Sequence, residues 1–306
     1  MKPDPLVSVI INNHNYGRFL HKAIDTALAQ DYSPLEVIVV DDGSTDESSD
    51  IIRSYGNRII PVFKANGGQA SAFNQGFAAC NGEIICLEDA DDYFLPAKVR
   101  TIVCAFADNP PAQWCYHPVR WVGLDDRPIE TYRKPVYTTR MLDLRPHIAS
   151  GRVQFTAPPT SGLTFRRSLL GRILPMPERI EITSDNYVKF ASFTLAPGLI
   201  LDAELACQRI HDSNAFTRKT GFVKERTHAR VKLLTAHALQ DRFPAAQKFS
   251  DRLFASSLAS YWVHGGIDRA HSNVVRDYLR HATFASKCRV AAKAIIYLAR
   301  MRVSTL

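Results

Sequence analysis

The segment from Glu83 to Arg100 reads Glu-Ile-Ile-Cys-Leu-Glu-Asp-Ala-Asp-Asp-Tyr-Phe-Leu-Pro-Ala-Lys-Val-Arg. A short apolar run ends in Asp89, Asp91 and Asp92, and a helical pattern follows. Carboxylates at the end of a buried strand repel one another, so the pattern predicts a bound cation. Asp-x-Asp oxygens suit a hard divalent ion such as Mg²⁺ or Mn²⁺, which can then bind diphosphate oxygens. Taken alone, the same residues could form a surface acidic turn that caps the following helix.

Length and composition indicate an ordinary globular protein. The 306 residues, 46% of them hydrophobic and 22% charged, are enough for one large domain with an appendage, or for two domains. No apolar stretch reaches the roughly 18 residues of a membrane span, and the polar start Met1–Pro5 does not resemble a signal peptide. The six cysteines are widely spaced and mostly lie in apolar runs, which predicts reduced thiols in a cytosolic protein.

The charge is unevenly distributed along the chain. Residues 215–306 contain 17 Lys and Arg against 5 Asp and Glu, a balance of +12, whereas residues 1–214 contain 21 against 25, a balance of −4. This asymmetry indicates two regions with different tasks.

Short β-branched runs alternate with amphipathic stretches over the first 120 residues. The predicted strands are Leu6–Ile11, Leu35–Val40, Ile59–Phe63 and Glu83–Leu87. The predicted helices are Arg18–Ala29, Glu47–Tyr55, Gln69–Cys80 and Ala97–Ala107. Fully apolar strands indicate a parallel sheet that is covered on both faces, which is an α/β architecture. Ligands of such sheets bind beyond the carboxyl ends of the strands.

Later segments are less regular. Residues 110–180 predict extended and loop structure, and a helix near Asp185–Phe193 and a strand near Leu205–Ile210 complete the core. Beyond Phe216 the pattern is helical, with a break at Gly265 and Gly266.

Polar clusters follow all four predicted strands. They are Asn12–Gly17, Asp41–Asp46, Asn66–Gly76 and Asp89–Asp92. In this order and spacing, the clusters resemble those of the family 2 inverting glycosyltransferases, which have a GT-A fold. The resemblance covers roughly residues 6–216. It implies a catalytic domain at 1–216, with a nucleotide-sugar half at about 1–110 and an acceptor half at about 111–216. A basic helical region would occupy 217–306.

The resemblance also implies which residues bind the donor. The implied nucleotide-sugar ligands are Asn12, His14, Asp41, Asp42, Gly68, Gln69, Asn74 and Asp89. An aspartate such as Asp42 can accept the imide N–H of uracil. Asp41 and Asp46 could instead cap the helix near Glu47, and we interpret Asp46 as a cap. Asn74 and Gly76 match an Asn-x-Gly signature whose alternative role is tight helix–sheet packing.

A second block carries the catalytic prediction. Thr183-Ser184-Asp185-Asn186-Tyr187 and Arg209-Ile210-His211-Asp212-Ser213-Asn214 are similar to blocks in one subgroup of the family. The resemblance implies that Asp185 is the base, with an N-cap or first-turn role as its alternative. It implies Asp91, Asp89 and His211 as contacts of a Mn²⁺ or Mg²⁺ cofactor or its diphosphate, whereas an isolated histidine is often only packed.

The segment Pro158–Arg167 resembles the acceptor side of the family. Thr160 and Ser161 are predicted to line an acceptor pocket and Arg166 to meet an acceptor phosphate, unless the segment is only a surface turn. Departures from the family pattern occur at Asn12, where many relatives have Pro, at Ser184, where they have Glu, and at Ala72, where Arg is common. The Gln-x-x-Arg-Trp signature of processive synthases is absent from the sequence, which favours transfer of one sugar at a time.

The last predicted helix, Lys287–Val303, has two faces. Arg289, Lys293 and Arg300 share one side. Another stripe contains Val290, Ala294, Tyr297, Leu298 and Met301. Such a helix could lie on an anionic membrane surface, or it could pack on the catalytic core with its basic face in solvent. Nucleic acid is not an expected partner, because no recognised binding motif accompanies the charge.

Together these patterns predict a metal-dependent inverting glycosyltransferase that uses a nucleotide-diphosphate sugar, with UDP favoured. The acceptor would be a polysaccharide or a lipid-linked saccharide. The protein would be cytoplasmic, either free or peripheral to the membrane at its cytoplasmic face. One alternative is a catalytically idle scaffold that binds nucleotide sugars. The other is a nucleotidyltransferase, for which Asn12–Arg18 offers only Gly17 and Arg18 as phosphate-loop residues.

Overall fold

The computed structural model describes residues 3–130, 136–153, 155–212, 214 and 221–303. Its strands are β1 Val7–Asn13, β2 Leu35–Asp42, β3 Ile60–Lys64, β4 Ile84–Asp89, β5 Tyr93–Phe94, β6 Trp114–Tyr116, β7 Val119–Val122, β8 Arg140–Leu142, β9 Leu163–Arg166, β10 Gly198–Ile200 and β11 Ala206–Arg209. Its α-helices are α1 Gly17–Leu28, α2 Ser48–Ser54, α3 Gly68–Ala79, α4 Lys98–Asp108, α5 Arg145–Ser150, α6 Arg167–Ile173, α7 Asp185–Leu195, α8 Gly221–Arg242, α9 Gln247–Val263, α10 Ser272–His281 and α11 Phe284–Val303.

The chain forms two compact units. The first contains Met1–Asp143, Phe155–Glu181 and Leu195–Asp212, and the second contains Leu144–Gln154, Ile182–Thr194 and Ser213–Leu306. The functional division predicted at residue 216 stays a prediction. Two parts of the predicted helical region, residues 217–220 and 304–306, lie outside the described residues.

The first unit is built around one large mixed sheet. Among the described residues, the strand order is β3-β2-β1-β4-β9-β6-β10-β8, and a smaller sheet has the order β5-β11-β7. Strands β3, β2, β1 and β4 are mutually parallel, whereas β9 runs antiparallel to both β4 and β6. The predicted α/β class with a mostly parallel central sheet is therefore confirmed.

The core of this unit follows from the apolar runs in the sequence. Val37, Val39 and Ile11 are at most 1% exposed, because helices cover both faces of the central strands. Helix α1 packs one face against this core, and Leu20 and Ile24 on that face are fully buried. Since parallel strands end at the same edge, the polar residues after β1, β2 and β4 are brought together.

The second unit is largely helical. Helix α9 packs against α8 and α11, and α5 also contacts α9. Helix α9 ends at Val263, immediately before the predicted break, and Gly265 and Gly266 both have a φ of +86°. Within the described residues, no helix is both long enough and apolar enough to cross a bilayer.

Candidate functional site

The carboxyl ends of β1, β2 and β4 form the centre of the candidate site. The strand register places Asn12 opposite Asp89 and Asn13 opposite Asp41. Asn12 Nδ2 donates a hydrogen bond to Asp89 Oδ1 at 2.6 Å. Asn13 Nδ2 donates to Asp41 Oδ1 at 3.1 Å. The structure thus joins three of the predicted polar clusters at one edge of the sheet.

Asp42 organises the glycine turn that precedes α3. Its Oδ1 accepts hydrogen bonds from Lys64 Nζ at 2.5 Å and from the N–H of Gly67 at 3.0 Å, and its Oδ2 accepts from the N–H of Gly68 at 2.7 Å. Gly68 has a φ of +83°, and a Cβ there would lie 2.7 Å from Glu181 Cα, so this turn requires glycine. His14 is exposed, and its Nδ1 lies 2.9 Å from the carbonyl oxygen of Asp42.

Asp41 and Asp46 hold neighbouring elements together. Asp41 Oδ2 accepts a hydrogen bond from Ser49 Oγ at 2.8 Å, which ties β2 to α2. Asp46 accepts from the N–H groups of Ser48 and Gly17, the first residues of α2 and α1. Burial alone would raise the pKa of Asp46, but these hydrogen bonds outweigh it and lower the pKa. Asp46 therefore serves two helix N-termini.

Gln69 extends the site toward the segment around residue 160. Gln69 Nε2 donates to Asp89 Oδ1 at 3.0 Å and to Thr160 Oγ1 at 3.4 Å. Ser161 Oγ accepts from the N–H of Asp89 at 3.2 Å and donates to Asp92 Oδ2 at 2.6 Å. The hydroxyls predicted to line an acceptor pocket thus lie against the segment Asp89–Asp92 at the end of β4, here named the acidic loop.

Two other predicted ligands have structural partners in this unit. Asn74 makes a reciprocal pair of hydrogen bonds with the backbone of Met176, at 2.9 Å and 2.7 Å. The guanidinium of Arg166 donates to the carbonyl oxygens of Ala112 and Phe106, and burial lowers its pKa. Their roles in ligand binding stay predictions.

Arg209, at the end of β11, anchors the acidic loop. Its backbone N–H donates to Asp92 Oδ1 at 3.0 Å, and its guanidinium donates to the carbonyl oxygen of Asp91 at 2.8 Å and to Asp126 Oδ1 at 2.9 Å. Arg209 belongs to a motif noted in the sequence, but no role was predicted for it. The sequence signal for such a role was an arginine at the end of an apolar run, followed two residues later by a histidine.

His211 contacts the carboxylate of Asp91. Its Nε2 lies 3.1 Å from Asp91 Oδ2, and its Nδ1 lies 3.4 Å from Arg18 Nη2. A guanidinium can only donate, so Nδ1 accepts that bond and Nε2 carries the proton that is donated to Asp91. The ring is buried and packs on Phe19 at a centroid distance of 4.6 Å.

Buried ionisable groups lie beneath the loop. Burial, followed by the charges of Asp91 and Asp89, raises the pKa of Asp92 well above its ordinary value. Burial also raises the pKa of Glu88, whose carboxyl oxygens have no hydrogen-bond partner among the described residues. Lys98 Nζ donates to the carbonyl oxygen of Ser161 at 2.7 Å, and burial lowers the pKa of Lys98 to about 8. Glu88 and Lys98 were not predicted from the sequence, because both are ordinary residues of a strand and a helix by pattern.

The acidic loop has the chemistry of a site for a hard divalent cation. Burial, with the added repulsion of Asp91 and Asp89, disfavours ionisation of Asp92, and a cation would relieve the repulsion. Within the described residues, no group of three His, Cys, Asp or Glu side chains is arranged as a metal cage. Mg²⁺ commonly needs only one or two protein carboxylates together with substrate phosphates and water. The residues therefore fit a cation that binds together with a diphosphate.

Asp185 belongs to the second unit and is the first residue of α7. It is 8% exposed, and its Oδ2 accepts a hydrogen bond from Lys189 Nζ at 2.6 Å, one helical turn later. Thr183, just before the helix, has a φ of +49°. A buried carboxylate that is oriented by one ammonium group has the chemistry of a proton acceptor.

Comparisons with known proteins identify a family and relatives with similar sequences. The sequence profile described as Glycosyl transferase family 2 matches residues 8–168. An uncharacterized glycosyltransferase of Nostoc sp. (strain PCC 7120) is 37% identical over 217 residues, which are 68% of this chain and 66% of that protein. An uncharacterized glycosyltransferase of Rickettsia typhi is 44% identical over 96 residues, 31% of this chain and 30% of that protein. The chain thus matches less than two thirds of the length of either relative.

Solved structures of S. aureus TarS are similar in fold. TarS 1–349 in complex with UDP-GlcNAc has a TM-score of 0.63 at 17% identity, covering 95% of this chain and 89% of the TarS chain. A longer TarS structure has a TM-score of 0.61 at 18% identity, covering 95% of this chain and 54% of that chain. The predicted GT-A fold is confirmed by this similarity.

Proposed function

Because this chain belongs to glycosyl transferase family 2, we propose that it moves one sugar at a time from a nucleotide-diphosphate donor to an acceptor hydroxyl. The observation that carries the proposal is the joining of Asn12, Gln69 and Asp89 in one hydrogen-bonded group at the carboxyl edge of the sheet. Ligands of parallel α/β sheets bind at this edge. The acidic loop, which could hold a metal–diphosphate, begins at Asp89 in the same group.

We favour UDP as the nucleotide. A carboxylate has about four lone-pair sites, and donors among the described residues occupy three of those of Asp42. One further donor, such as the imide N–H of uracil, can therefore be accepted there. The TarS structure with UDP-GlcNAc, which shares the fold, supports the same choice. His14, which contacts the carbonyl oxygen of Asp42, and Asn12, on the neighbouring strand β1, would contact the base or the ribose.

Asp91 would hold the divalent cation, with Asp89 beside it. When bound, Mg²⁺ or Mn²⁺ would neutralise charge on the leaving diphosphate. His211 positions Asp91 through its Nε2–H, and Nε2 could bind the metal itself only in the other neutral tautomer, with the proton on Nδ1. Arg209 keeps Asp91 and Asp92 in place through their backbone and side-chain oxygens.

Asp185 would act as the base. It takes the proton of the acceptor hydroxyl while that oxygen forms a bond to the anomeric carbon from the face opposite the leaving group. The bond between the anomeric carbon and the diphosphate oxygen breaks, and its electron pair stays on the diphosphate. The configuration at the anomeric carbon is thereby inverted. Lys189 would hold the Asp185 carboxylate in position.

The acceptor that we propose is a polysaccharide or a lipid-linked saccharide at the cytoplasmic face of the membrane. Thr160 and Ser161, which lie against Asp92 and Gln69, would contact it. No step of the proposed reaction requires a nucleic acid.

A thermal-shift panel tests the donor assignment. The full chain is heated with UDP-GlcNAc, UDP-glucose or GDP-mannose, each with Mn²⁺ or with EDTA. We expect the unfolding temperature to rise with UDP donors and Mn²⁺ only. Asp42→Asn should weaken UDP binding by about 10-fold or more, since hydrogen bonds to charged groups contribute about 1.5–3 kcal/mol.

The matched control is Asp50→Asn on α2, whose side chain is 91% exposed. It should leave UDP binding unchanged. A rise with GDP-mannose alone would overturn the choice of UDP. Donor binding without release of UDP in the presence of any saccharide acceptor would favour the idle scaffold instead.

A further inference from the structure

In the described part of the chain, one side of helix α11 packs against the rest of the second unit and the opposite side does not. Val290 and Ala294 on that side are 4% and 2% exposed. The Arg289 guanidinium donates to Asp251 Oδ2 of α9 at 2.9 Å, and Arg252 of α9 donates to the Tyr297 hydroxyl at 2.8 Å. The apolar stripe that the sequence suggested for membrane contact therefore includes buried positions.

A second apolar stripe on α11 is open to solvent. Phe284 is 83% exposed, Ile295 66% and Ile296 42%. Further exposed members are Cys288, Ala291, Ala292 and Ala299. At about 100° per residue, these positions cover a sector roughly 140° wide. The centre of this sector lies about 150° around the helix from the centre of the buried sector, so the stripe points away from α9.

Cations border the stripe on both sides. Lys287 lies on one border, and Lys293 and Arg300 lie on the other, all three exposed. The sequence of α11 contains no Asp or Glu. A second copy of this helix would bring like charges together across the stripe, at a cost in free energy. An anionic surface would instead be attracted to both borders.

We propose that α11 docks on the surface of an anionic lipid bilayer through this stripe, defined as Phe284, Cys288, Ala291, Ala292, Ile295, Ile296 and Ala299. The helix has 20 residues and is about 30 Å long, and it lies in the plane of the interface because its other side packs on α9 and cations border the stripe along its length. Phe284 and the two isoleucines enter the boundary between headgroups and acyl chains, while Lys287, Lys293 and Arg300 meet lipid phosphates. Docking does not depend on the proposed sugar transfer.

Vesicle sedimentation tests the proposal with the full chain. Vesicles of phosphatidylcholine with 30% phosphatidylglycerol should carry the protein to the pellet, and pure phosphatidylcholine should not. Since one cation near the surface contributes about 1 kcal/mol, Lys293→Gln and Arg300→Gln should each weaken binding by about fivefold. Ile295→Glu should weaken it at least tenfold, because it places a carboxylate in the apolar stripe. Binding should also fall as salt is raised.

The control substitution is Leu124→Glu in the first unit, since Leu124 is 63% exposed and thus matches Ile295. It should not change vesicle binding. Equal unfolding temperatures of both variants would exclude misfolding. The proposal would be overturned if Ile295→Glu bound vesicles as well as the parent does, or if the parent bound equally with and without phosphatidylglycerol. So would a dimer, measured by light scattering, that Ile295→Glu converts to monomer, because the stripe would then be a subunit interface.

Discussion

His211 Nε2 lies 3.1 Å from Asp91 Oδ2, although the two residues are 120 positions apart in the sequence. The contact joins the segment after β11 to the acidic loop after β4. Because Nδ1 of the same ring faces Arg18, the tautomer that donates to Asp91 is fixed by its surroundings. The aspartate that we assign to the cation is thus oriented before any ligand binds.

Substitutions of His211 separate positioning from metal ligation. His211→Ala should lower kcat/KM by about 10- to 100-fold, since a ligand-positioning partner typically contributes that much. His211→Gln keeps an N–H donor for Asp91 and should recover a substantial part of the loss. The measurement is sugar transfer as a function of Mn²⁺ concentration. Equal losses in both variants, with equally weakened Mn²⁺ dependence, would instead indicate that the imidazole nitrogen binds the metal.

Asp185 should be required for the chemical step and not for donor binding. Asp185→Asn keeps the size of the side chain but removes the proton acceptor, so kcat should fall by at least about 100-fold with donor affinity unchanged. Lys189→Met should lower kcat less, because the carboxylate remains but loses the ammonium group that orients it.

These rates are measured as UDP release with acceptor present, and donor affinity is measured by calorimetry. Asn186→Ala is the neighbouring control, since among the described residues its side-chain amide donates to the carbonyl oxygen of Thr183 alone. Turnover of Asp185→Asn within a few-fold of the parent would rule out the base assignment.

Much of the fold was predictable because buried parallel strands have a simple sequence pattern. The predicted strand Leu35–Val40 corresponds to β2, Leu35–Asp42, and the predicted helix Gln69–Cys80 corresponds to α3, Gly68–Ala79. The polar clusters were visible for the same reason, since each interrupts an apolar run at a strand end. Their meeting at one edge follows from the parallel order alone.

The remaining features depend on contacts between distant segments. The antiparallel insertion of β9 between β4 and β6 rests on only four residues, Leu163–Arg166, whose pattern does not specify a partner. The role of Arg209 depends on carbonyl and carboxylate oxygens more than 80 positions away. The exposed stripe of α11 was missed because helical periodicity identifies an apolar face without showing which face the protein covers.

Lys98 should make stability depend on pH in a defined window. Its pKa is about 8 in the fold, below its ordinary value of 10.5, because the ammonium group is buried. The unfolded chain therefore binds more protons between about pH 8 and 10.5, and stability from this group is lost as the pH falls through 8. The loss below pH 8 is of order 3 kcal/mol, since each unit of pKa corresponds to about 1.4 kcal/mol.

Lys98→Met removes this dependence. The free energy of unfolding of the variant minus that of the parent should be larger at pH 7 than at pH 10. Chemical denaturation at both pH values measures this difference. Lys287→Met on the exposed side of α11 serves as the control, because it removes an ammonium group that is not buried. A parent–variant difference that is the same at both pH values would show that Lys98 is not buried as a charged group.

Substitution of Gly76 tests whether the Asn-x-Gly signature is needed for helix–sheet packing or for ligand binding. A Cβ at Gly76 would lie 2.4 Å from Ile10 Cγ2 and 3.1 Å from Val40 Cγ2, so α3 can approach the sheet closely only with glycine there. Gly76→Ala should therefore lower the free energy of unfolding by about 1–3 kcal/mol, which is usual for an overpacked core. At a temperature where the variant is folded, donor affinity should stay within about twofold of the parent.

Gly171→Ala in α6 is the matched substitution, because its Cβ would meet only Phe77 Cζ at an ordinary 3.8 Å. It should raise the free energy of unfolding by about 0.5–1 kcal/mol, since alanine loses less backbone entropy than glycine in a helix. Urea denaturation of both variants gives the two energies. If Gly76→Ala retained its stability but lost donor affinity at least tenfold, the glycine would be needed for the ligand, and the packing explanation would be wrong.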